Sequence, residues 1–252
     1  MNRLARLSKN KQMLYIAMIF IVLNIITIFF FELIEFRLVR LLSSITALLY
    51  FHFYISYKNR IIYSIFIMLV CSDVSMVFYE HYLGLITYTL WSIAIYLTLS
   101  ISALRKIQWR RVTSLDYIVF ILVFLFNIYI LEFTVSDIRE LFETRLAYYL
   151  IKMTGYTGLI SCLLSAFLNA TRLSFRTAYF MYALFGLIFS DFVAMLAFYY
   201  KIEPKLFFLI DRAAYLFALF FLVRHAYMAY LQKEAAKAVA ILKKSSQDSI
   251  SL

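Results

Sequence analysis

The sequence predicts an all-α membrane protein, a polytopic helical bundle with eight transmembrane helices. Of its 252 residues, 65% are hydrophobic, and the mean hydropathy is +0.85. A water-soluble domain cannot hide so large an apolar fraction from solvent. Apolar runs of about 20 residues alternate with short charged clusters, and a helix of that length crosses a lipid core ~30 Å thick. Four glycines and one proline leave few breaks in these runs.

Eight apolar runs follow one another along the chain, each long enough for one span. They cover residues 13–31, 38–57, 61–79, 84–104, 116–135, 146–170, 177–200 and 208–229. The first run lacks a small-residue cleavage site, so we predict a retained helix rather than a removed signal peptide. Residues 1–230 then form the transmembrane domain. A basic cytoplasmic tail follows over 231–252, with an Ala/Lys-rich surface helix and a polar, disordered end.

The charged residues predict the orientation, because cytoplasmic loops are enriched in Lys and Arg. With both termini in the cytoplasm, the inner segments hold 17 of the 25 basic residues. The outer segments hold nine of the 14 carboxylates, and Asp211 is assigned to them. An even number of spans fits this alternation. The predicted location is therefore the cell membrane, with both ends on the cytoplasmic side.

The sequence shows no pattern typical of nucleic-acid binding, of a disulfide or of a metal site. The net charge of +11 comes from basic residues at helix ends without interleaved aromatics, so no nucleic-acid partner is predicted. Cys71 and Cys162 fall inside predicted spans and are interpreted as packing residues. No spacing of His, Cys and carboxylates matches a metal motif, so neither a metal nor another cofactor is predicted. Nothing in the sequence indicates an oligomeric state.

Two aspartates lie inside apolar runs, in "VCSDVSMVFY" (70–79) and "IFSDFVAMLAFYY" (188–200). An ionisable side chain in a membrane helix costs about 2.5–3.5 kcal/mol on insertion scales, so it normally faces the bundle interior and marks a site. Asp73 and Asp191 are therefore the candidate catalytic residues. They are 118 residues apart (191 − 73 = 118) and both follow serine, which favours two parallel four-helix halves.

Cations at a similar predicted depth are the candidate partners of these acids. On the sixth run, polar side chains recur at helical spacing along one face: Arg145, Tyr149, Lys152 and Tyr156. On the second predicted helix, Arg37, Arg40 and Ser44 form a shorter polar face at the outer end. We predict one cavity that opens toward the outer half of the membrane, with Arg40, Tyr149 and Lys152 binding the substrate. Its predicted lining is Arg40, Asp73, Tyr149, Lys152 and Asp191. A buried ion pair of Asp73 or Asp191 with Lys152 or Arg40 is the structural alternative.

The chain resembles the YhhN family of eight-helix membrane proteins, which includes lysoplasmalogenases. The matching positions are Ser72-Asp73, Ser190-Asp191 and Arg40-Leu41, where the family has Gly-Asp, Ser-Asp and Lys-Pro. The similarity extends over about seven of the eight predicted helices. The departures are Ala183, where the family prefers glycine, and Ile93 and Leu219, where polar residues are frequent.

The resemblance implies hydrolysis of the vinyl ether bond of a lysophospholipid drawn from the membrane. Such a bond breaks by protonation at carbon, capture of the oxocarbenium ion by water, and collapse of the hemiacetal to an aldehyde and an alcohol. One carboxyl must donate the proton while a neighbouring carboxylate stabilises the cation. Lys152 or Arg40 would hold the phosphate. The sequence leaves open which aspartate has which role.

Two other classes of function remain open. In a proton- or cation-coupled transporter the same aspartates bind the ion, although the shortage of Gly and Pro argues against unwound binding helices. In a non-catalytic membrane protein, the acids serve only in a structural ion pair.

Overall fold

The chain is all-helical, as predicted. The computed structural model describes residues 3–55, 59–142, 144–200 and 204–248, and there is no strand among them. Short 3₁₀ helices at Trp109–Arg111 and Arg139–Leu141 flank the fifth helix. The eight α-helices of this described part are α1 (Arg3–Phe30), α2 (Leu33–Tyr54), α3 (Arg60–Val77), α4 (Tyr82–Leu104), α5 (Ser114–Asp137), α6 (Arg145–Arg172), α7 (Phe175–Tyr199) and α8 (Pro204–Asp248).

Six helices, α3 to α8, are long and apolar enough to cross a membrane. In α1 the apolar segment Leu14–Phe30 is shorter. The charged side chains of Glu35, Arg37 and Arg40 lower the hydropathy of α2. Large apolar side chains are exposed along several helices, and on α5 Phe126 and Phe133 are 63% and 68% exposed. Apolar surface of this kind indicates a membrane protein.

Three helix boundaries differ from the predicted runs by five residues or more. Helix α1 begins at Arg3 rather than at residue 13, and α2 begins at Leu33 rather than at 38. Helix α8 continues without a break to Asp248, so the tail helix extends the eighth apolar run. The physical reason is that charged residues end the hydropathy signal but are compatible with helical backbone. The predicted end of the second run, residue 57, and the last four residues of the tail lie outside the described residues.

The turns between helices are fixed by local side-chain caps. Thr113 and Asp116 form a reciprocal capping box at the start of α5, and Ser174 and Thr177 form another at the start of α7. Leu173 ends α6 in the left-handed region, with φ 39°. Such caps satisfy helix-end N–H and C=O groups, so the short connections can reverse the chain.

Helix pairing follows a pattern that recurs after four helices. Sequential neighbours pack together within α1 to α4 and within α5 to α8, and α4 packs against α6 as α2 packs against α8. Helix α1 also packs against α8, whereas α5 makes no comparable contact with α4. The main apolar core therefore lies among α2, α3, α4, α6, α7 and α8. Helix α5 is attached to the bundle mainly through α6.

Candidate functional site

Three aspartates and two arginines meet inside the bundle and form what we call the charged cluster. Its members are Arg40 on α2, Asp73 on α3, Asp191 on α7, and Asp211 and Arg212 on α8. Four of the five side chains are at most 3% exposed, and Asp191 is 20% exposed. Charges this deep in an apolar bundle require oppositely charged partners, and the members of the cluster serve as partners for one another.

Arg40 is the centre of the charged cluster. Its Nε donates to Asp73 Oδ1 at 2.6 Å. Its Nη2 lies 4.0 Å from Asp191 Oδ1, and its Nη1 lies 3.8 Å from Asp211 Oδ1. The guanidinium also stacks over the Tyr215 ring, 4.0 Å from the ring centroid. One cation on α2 therefore faces carboxylates from three other helices.

Asp73 is held by hydrogen bonds from every side. Besides Arg40, it accepts hydrogen bonds from the hydroxyls of Ser44 and Tyr215, the latter at 2.6 Å. Ser44 and Tyr215 are themselves 2.8 Å apart. Because both carboxylate oxygens are occupied and the residue is 1% exposed, Asp73 has no free face for a ligand. The buried ion pair anticipated as the structural alternative is formed here, between Asp73 and Arg40.

Asp191 has different surroundings. Two tyrosines of α4 hold it: Tyr88 donates to Oδ1 at 2.8 Å and Tyr96 donates to Oδ2 at 2.7 Å. Asp191 also lines a large cavity between α4, α5, α6 and α7, as do both tyrosines. Of the two aspartates predicted as catalytic, only Asp191 is therefore in a position to touch a ligand.

Asp211 corrects the sequence assignment to an outer segment, because the residue is fully buried in α8. It accepts a hydrogen bond from Ser190 and lies 2.9 Å from Arg212 Nη2. Arg212 packs over the Phe36 ring at 4.0 Å. The sequence signal for this pair was an acid next to a base in "LIDRAAY", inside the eighth apolar run. Charged side chains within a membrane span face the bundle interior by default.

The cavity beside Asp191 has a volume of about 540 Å³, within the range of ligand pockets. Along α7 its lining runs from Met181 to Phe198, which is about 25 Å at helical rise. Asp191 is its only charged lining residue among the described part of the chain. A few polar groups, including Tyr79 and Thr154, accompany the carboxylate, and most of the remaining lining is apolar. This is the shape and polarity of a site for a long apolar chain.

No protein-family model, curated protein or solved structure matches this chain. The geometry of the site is therefore the basis for any functional argument.

The structure brings together only some of the residues predicted to line one cavity. Arg40 and Asp73 lie in the charged cluster behind Asp191 and do not line the cavity. Lys152 forms an ion pair with Glu132 of α5, with 2.6 Å between Nζ and Oε2. Tyr149 is 57% exposed. Neither residue of α6 lines the cavity or contacts an aspartate of the cluster.

The tyrosines that donate hydrogen bonds to the two aspartates were not predicted from the sequence, although their spacing could have indicated them. Tyr96 and Tyr215 are 119 residues apart (215 − 96 = 119), close to the spacing of Asp73 and Asp191. Each donates to the aspartate of the other half of the chain, Tyr215 to Asp73 and Tyr96 to Asp191. Comparing the first half of the sequence with the second therefore matches the two aspartates with each other, and it also matches the two tyrosines that donate to them.

The charges of the cluster do not balance when every group is ionised. Asp73, Asp191 and Asp211 would contribute three negative charges against the two positive charges of Arg40 and Arg212. One proton or one monovalent cation makes the cluster neutral, and in a low-dielectric interior neutrality is strongly favoured. Asp191 is the only one of the three acids that faces open space. It is therefore the member able to exchange that proton or cation.

Proposed function

We propose that the protein is a membrane-embedded hydrolase that cleaves the vinyl ether bond of a single-chain phospholipid, with Asp191 as the acid and base. The observation that carries the proposal is a single carboxylate positioned part-way along an elongated apolar cavity. The site needs no metal in this scheme, since proton transfer by a carboxyl group suffices.

The cavity dimensions fit one lipid chain on one side of the carboxylate. From Asp191 to Met181 the lining extends ten residues along α7, or about 15 Å, which is half of a hydrocarbon core ~30 Å thick. From Asp191 to Phe198 it extends about 10 Å. An alkenyl chain pointing toward Met181 places its ether end at Asp191. The glycerol then lies toward Tyr79 and Phe198, and the phosphate lies outside the cavity.

The proposed reaction uses the Asp191 carboxyl twice. The protonated carboxyl transfers its proton to the chain carbon of the vinyl ether, and the resulting oxocarbenium ion is stabilised by the new carboxylate. The carboxylate then accepts a proton from the attacking water, which gives a hemiacetal and restores the acid. The hemiacetal collapses to a fatty aldehyde and the lysolipid's glycerol alcohol. Hydrogen bonds from Tyr88 and Tyr96 hold the carboxylate throughout.

Asp73 is a positioning residue in this proposal. It fixes Arg40, and the Arg40 guanidinium, 4.0 Å from Asp191, stabilises the ionised form of Asp191 after proton transfer. The phosphate-binding role predicted for Lys152 finds no support in its pairing with Glu132.

We also infer that all eight helices cross the membrane, as two four-helix halves, with both termini in the cytoplasm. The recurrent pairing pattern and the reciprocal bonds of Tyr96 and Tyr215 support the two halves. In this alignment Arg40 corresponds to Gly158 (40 + 118), so Asp191 has no arginine of its own. That difference accounts for one enclosed and one accessible aspartate.

A lipid or ion carrier is the second candidate, favoured by the charge imbalance of the cluster. A carrier would bind a proton or cation at Asp191 and leave the bound lipid intact. The two functions differ in whether a covalent bond is broken.

The test is to incubate the purified protein with a lysoplasmalogen and with the matching acyl lysophospholipid, and to measure fatty aldehyde and fatty acid. We expect aldehyde from the first lipid and no fatty acid from the second. Asp191→Asn should abolish aldehyde release, whereas Asp137→Asn, which removes a carboxylate outside the cluster, should retain it. Binding of the lysoplasmalogen without any aldehyde would refute the hydrolase and favour the carrier.

A further inference from the structure

Four basic side chains lie together where α4 and α6 end and α7 begins. This region is far from the charged cluster along the axis of α7. The four residues are Lys106, Arg172, Arg176 and His225, which we call the terminal basic cluster. Arg172 Nε donates to the Lys106 carbonyl oxygen at 3.0 Å, which joins the end of α6 to the end of α4. Lys106 Nζ donates to Ser102 Oγ at 3.0 Å. His225 Nδ1 is 2.8 Å from the carbonyl oxygen of Arg176.

Within the described residues, no salt bridge joins Lys106 or Arg172 to a carboxylate. Burial lowers the pKa of Lys106, and the neighbouring charges of Arg176 and Arg172 lower it further. The only hydrogen bond of Arg172 to the described part of the chain uses Nε, so both terminal nitrogens remain available. Two adjacent cations thus have no anionic partner in the part of the chain that the structure describes.

Helix dipoles explain only part of this arrangement. Cations at the carboxyl ends of α4 and α6 are stabilised by the macrodipole, and Arg172 lies in the last turn of α6. Lys106 follows α4 but is only partly exposed and bonds to Ser102, instead of extending its ammonium into water. A bound anion would offset the cost of keeping this ammonium out of water.

Apolar side chains beside the cluster indicate the kind of anion. Leu173 and Phe175 directly follow Arg172 and are 85% and 76% exposed. At the end of a membrane helix, such side chains lie among lipid chains just below the headgroups. The ligand that meets cations and apolar side chains together at this level is a phospholipid.

We propose that Lys106 and Arg172 bind the phosphate of an anionic phospholipid, with Leu173 and Phe175 against its acyl chains. A guanidinium and an ammonium are the groups that proteins use for phosphate, the first through paired hydrogen bonds and the second as a point charge. Arg176 adds positive potential. The site is independent of the proposed hydrolase chemistry.

The test measures lipid binding to the purified full-length protein in detergent by native mass spectrometry. Phosphatidylglycerol is compared with phosphatidylcholine, and inorganic phosphate is added in a separate arm. We expect preferential binding of phosphatidylglycerol. Lys106→Gln and Arg172→Gln should each weaken it about tenfold, as loss of a charge-assisted hydrogen bond implies. The matched control is Arg110→Gln, because Arg110 is exposed in the neighbouring 3₁₀ helix and loses the same charge.

Lys106→Arg should restore most of the affinity lost in Lys106→Gln, which separates a binding role from a folding defect. Equal weakening in all three glutamine variants would overturn the site in favour of diffuse surface charge. Displacement of phosphatidylglycerol by millimolar inorganic phosphate would overturn the lipid assignment.

Discussion

At the scale of single residues, the position of Arg40 determines what each membrane aspartate can do. Its Nε is bonded to Asp73, while its terminal nitrogens lie 3.8–4.0 Å from Asp211 and Asp191. Asp73 therefore compensates the arginine directly, and Asp191 is stabilised at a longer range. A carboxyl group that exchanges protons must be reachable by its substrate, and only Asp191 meets that condition.

Replacing the two aspartates should affect stability differently. Asp73→Asn removes the bonded counter-charge of a buried arginine, and breaking such a pair costs about 3–5 kcal/mol. Asp191→Asn keeps the Arg40–Asp73 pair and should destabilise the protein much less. Thermal unfolding of both variants in the same detergent, followed by circular dichroism, measures the difference. Equal loss of stability in the two variants would contradict the separate roles.

A double replacement tests the Arg40–Asp73 pair by removing both of its charges. Arg40→Met combined with Asp73→Leu removes both charges and fills their volume with apolar atoms. Because desolvation of two ions is then avoided, we expect this variant to be more stable than either single replacement. Melting temperatures of the three variants provide the comparison. A double variant less stable than both single variants would contradict this expectation.

The sequence predicted part of this site. Depth along a helix follows from residue count, since each residue adds about 1.5 Å, and this is why Arg40 could be predicted as one of two possible partners of Asp73. Rotation of a helix toward a particular neighbour depends on tertiary packing and could not be predicted. Lys152 illustrates the point, because α6 directs it to Glu132 on α5 instead of toward Asp191.

At the scale of helices, α5 determines access to the cavity. It packs against α6 and makes no comparable contact with α7. Val123 on α5 and Phe189 on α7 both line the cavity, and each is 51% exposed. These two helices border the cavity without close packing between them. We therefore expect the cavity to open sideways between α5 and α7, toward the lipid.

Narrowing this opening should slow lipid entry. We expect Val123→Trp to lower the association rate of a single-chain lipid several-fold, because the indole reduces the gap between α5 and α7. Phe126→Trp is the matched control, since Phe126 is exposed on α5 and does not line the cavity. Binding of a fluorescent lysophospholipid to each variant in nanodiscs gives the rates. Identical rates for the two variants would place the entrance elsewhere.

The end of the cavity near Met181 should set the length of the bound chain. Ala166 lines that region and is 9% exposed, so Ala166→Phe places a ring where the chain would end. We expect the variant to favour shorter chains, whereas Met181→Ala should favour longer ones. Competition among lysophospholipids of graded chain length measures the shift. An unchanged length profile in both variants would mean that the chain points toward Phe198.

Helix number was predicted from the sequence more accurately than helix limits. Each of the eight apolar runs coincides with an α-helix of the described residues, and six of these helices are long and apolar enough to cross a membrane. The start of α2 was missed by five residues, since Glu35 and Arg37 lower hydropathy without breaking the helix. The absence of close packing between α5 and α4 could not be predicted from composition and is seen only in the structure.

At the scale of the whole molecule, the two proposed halves differ in the packing of their first helix. Helix α1 contacts both α2 and α8, whereas α5 has only α6 as its principal neighbour. The cavity occupies the place where a contact of α5 with α4 would complete the repeat. The proposed duplication therefore yields one closed half, with Asp73, and one open half, with Asp191. In the proposed function, the reacting carboxyl group belongs to the open half, where the repeat is incomplete.

The proposed topology gives opposite accessibility to the two ends of α5. Gln108 precedes this helix and Glu140 follows it, both are exposed, and the intervening 24 residues of α5 are among the most apolar in the chain. If α5 crosses the bilayer with both chain termini in the cytoplasm, Gln108 faces the cytoplasm and Glu140 faces the exterior. In a Cys71→Ser, Cys162→Ser background, an impermeant maleimide added to intact cells should label Glu140→Cys and spare Gln108→Cys. Permeabilised cells should show labelling at both positions, which controls for reactivity. Labelling of Gln108→Cys alone in intact cells would invert the orientation, and labelling of both would mean that α5 does not span the membrane.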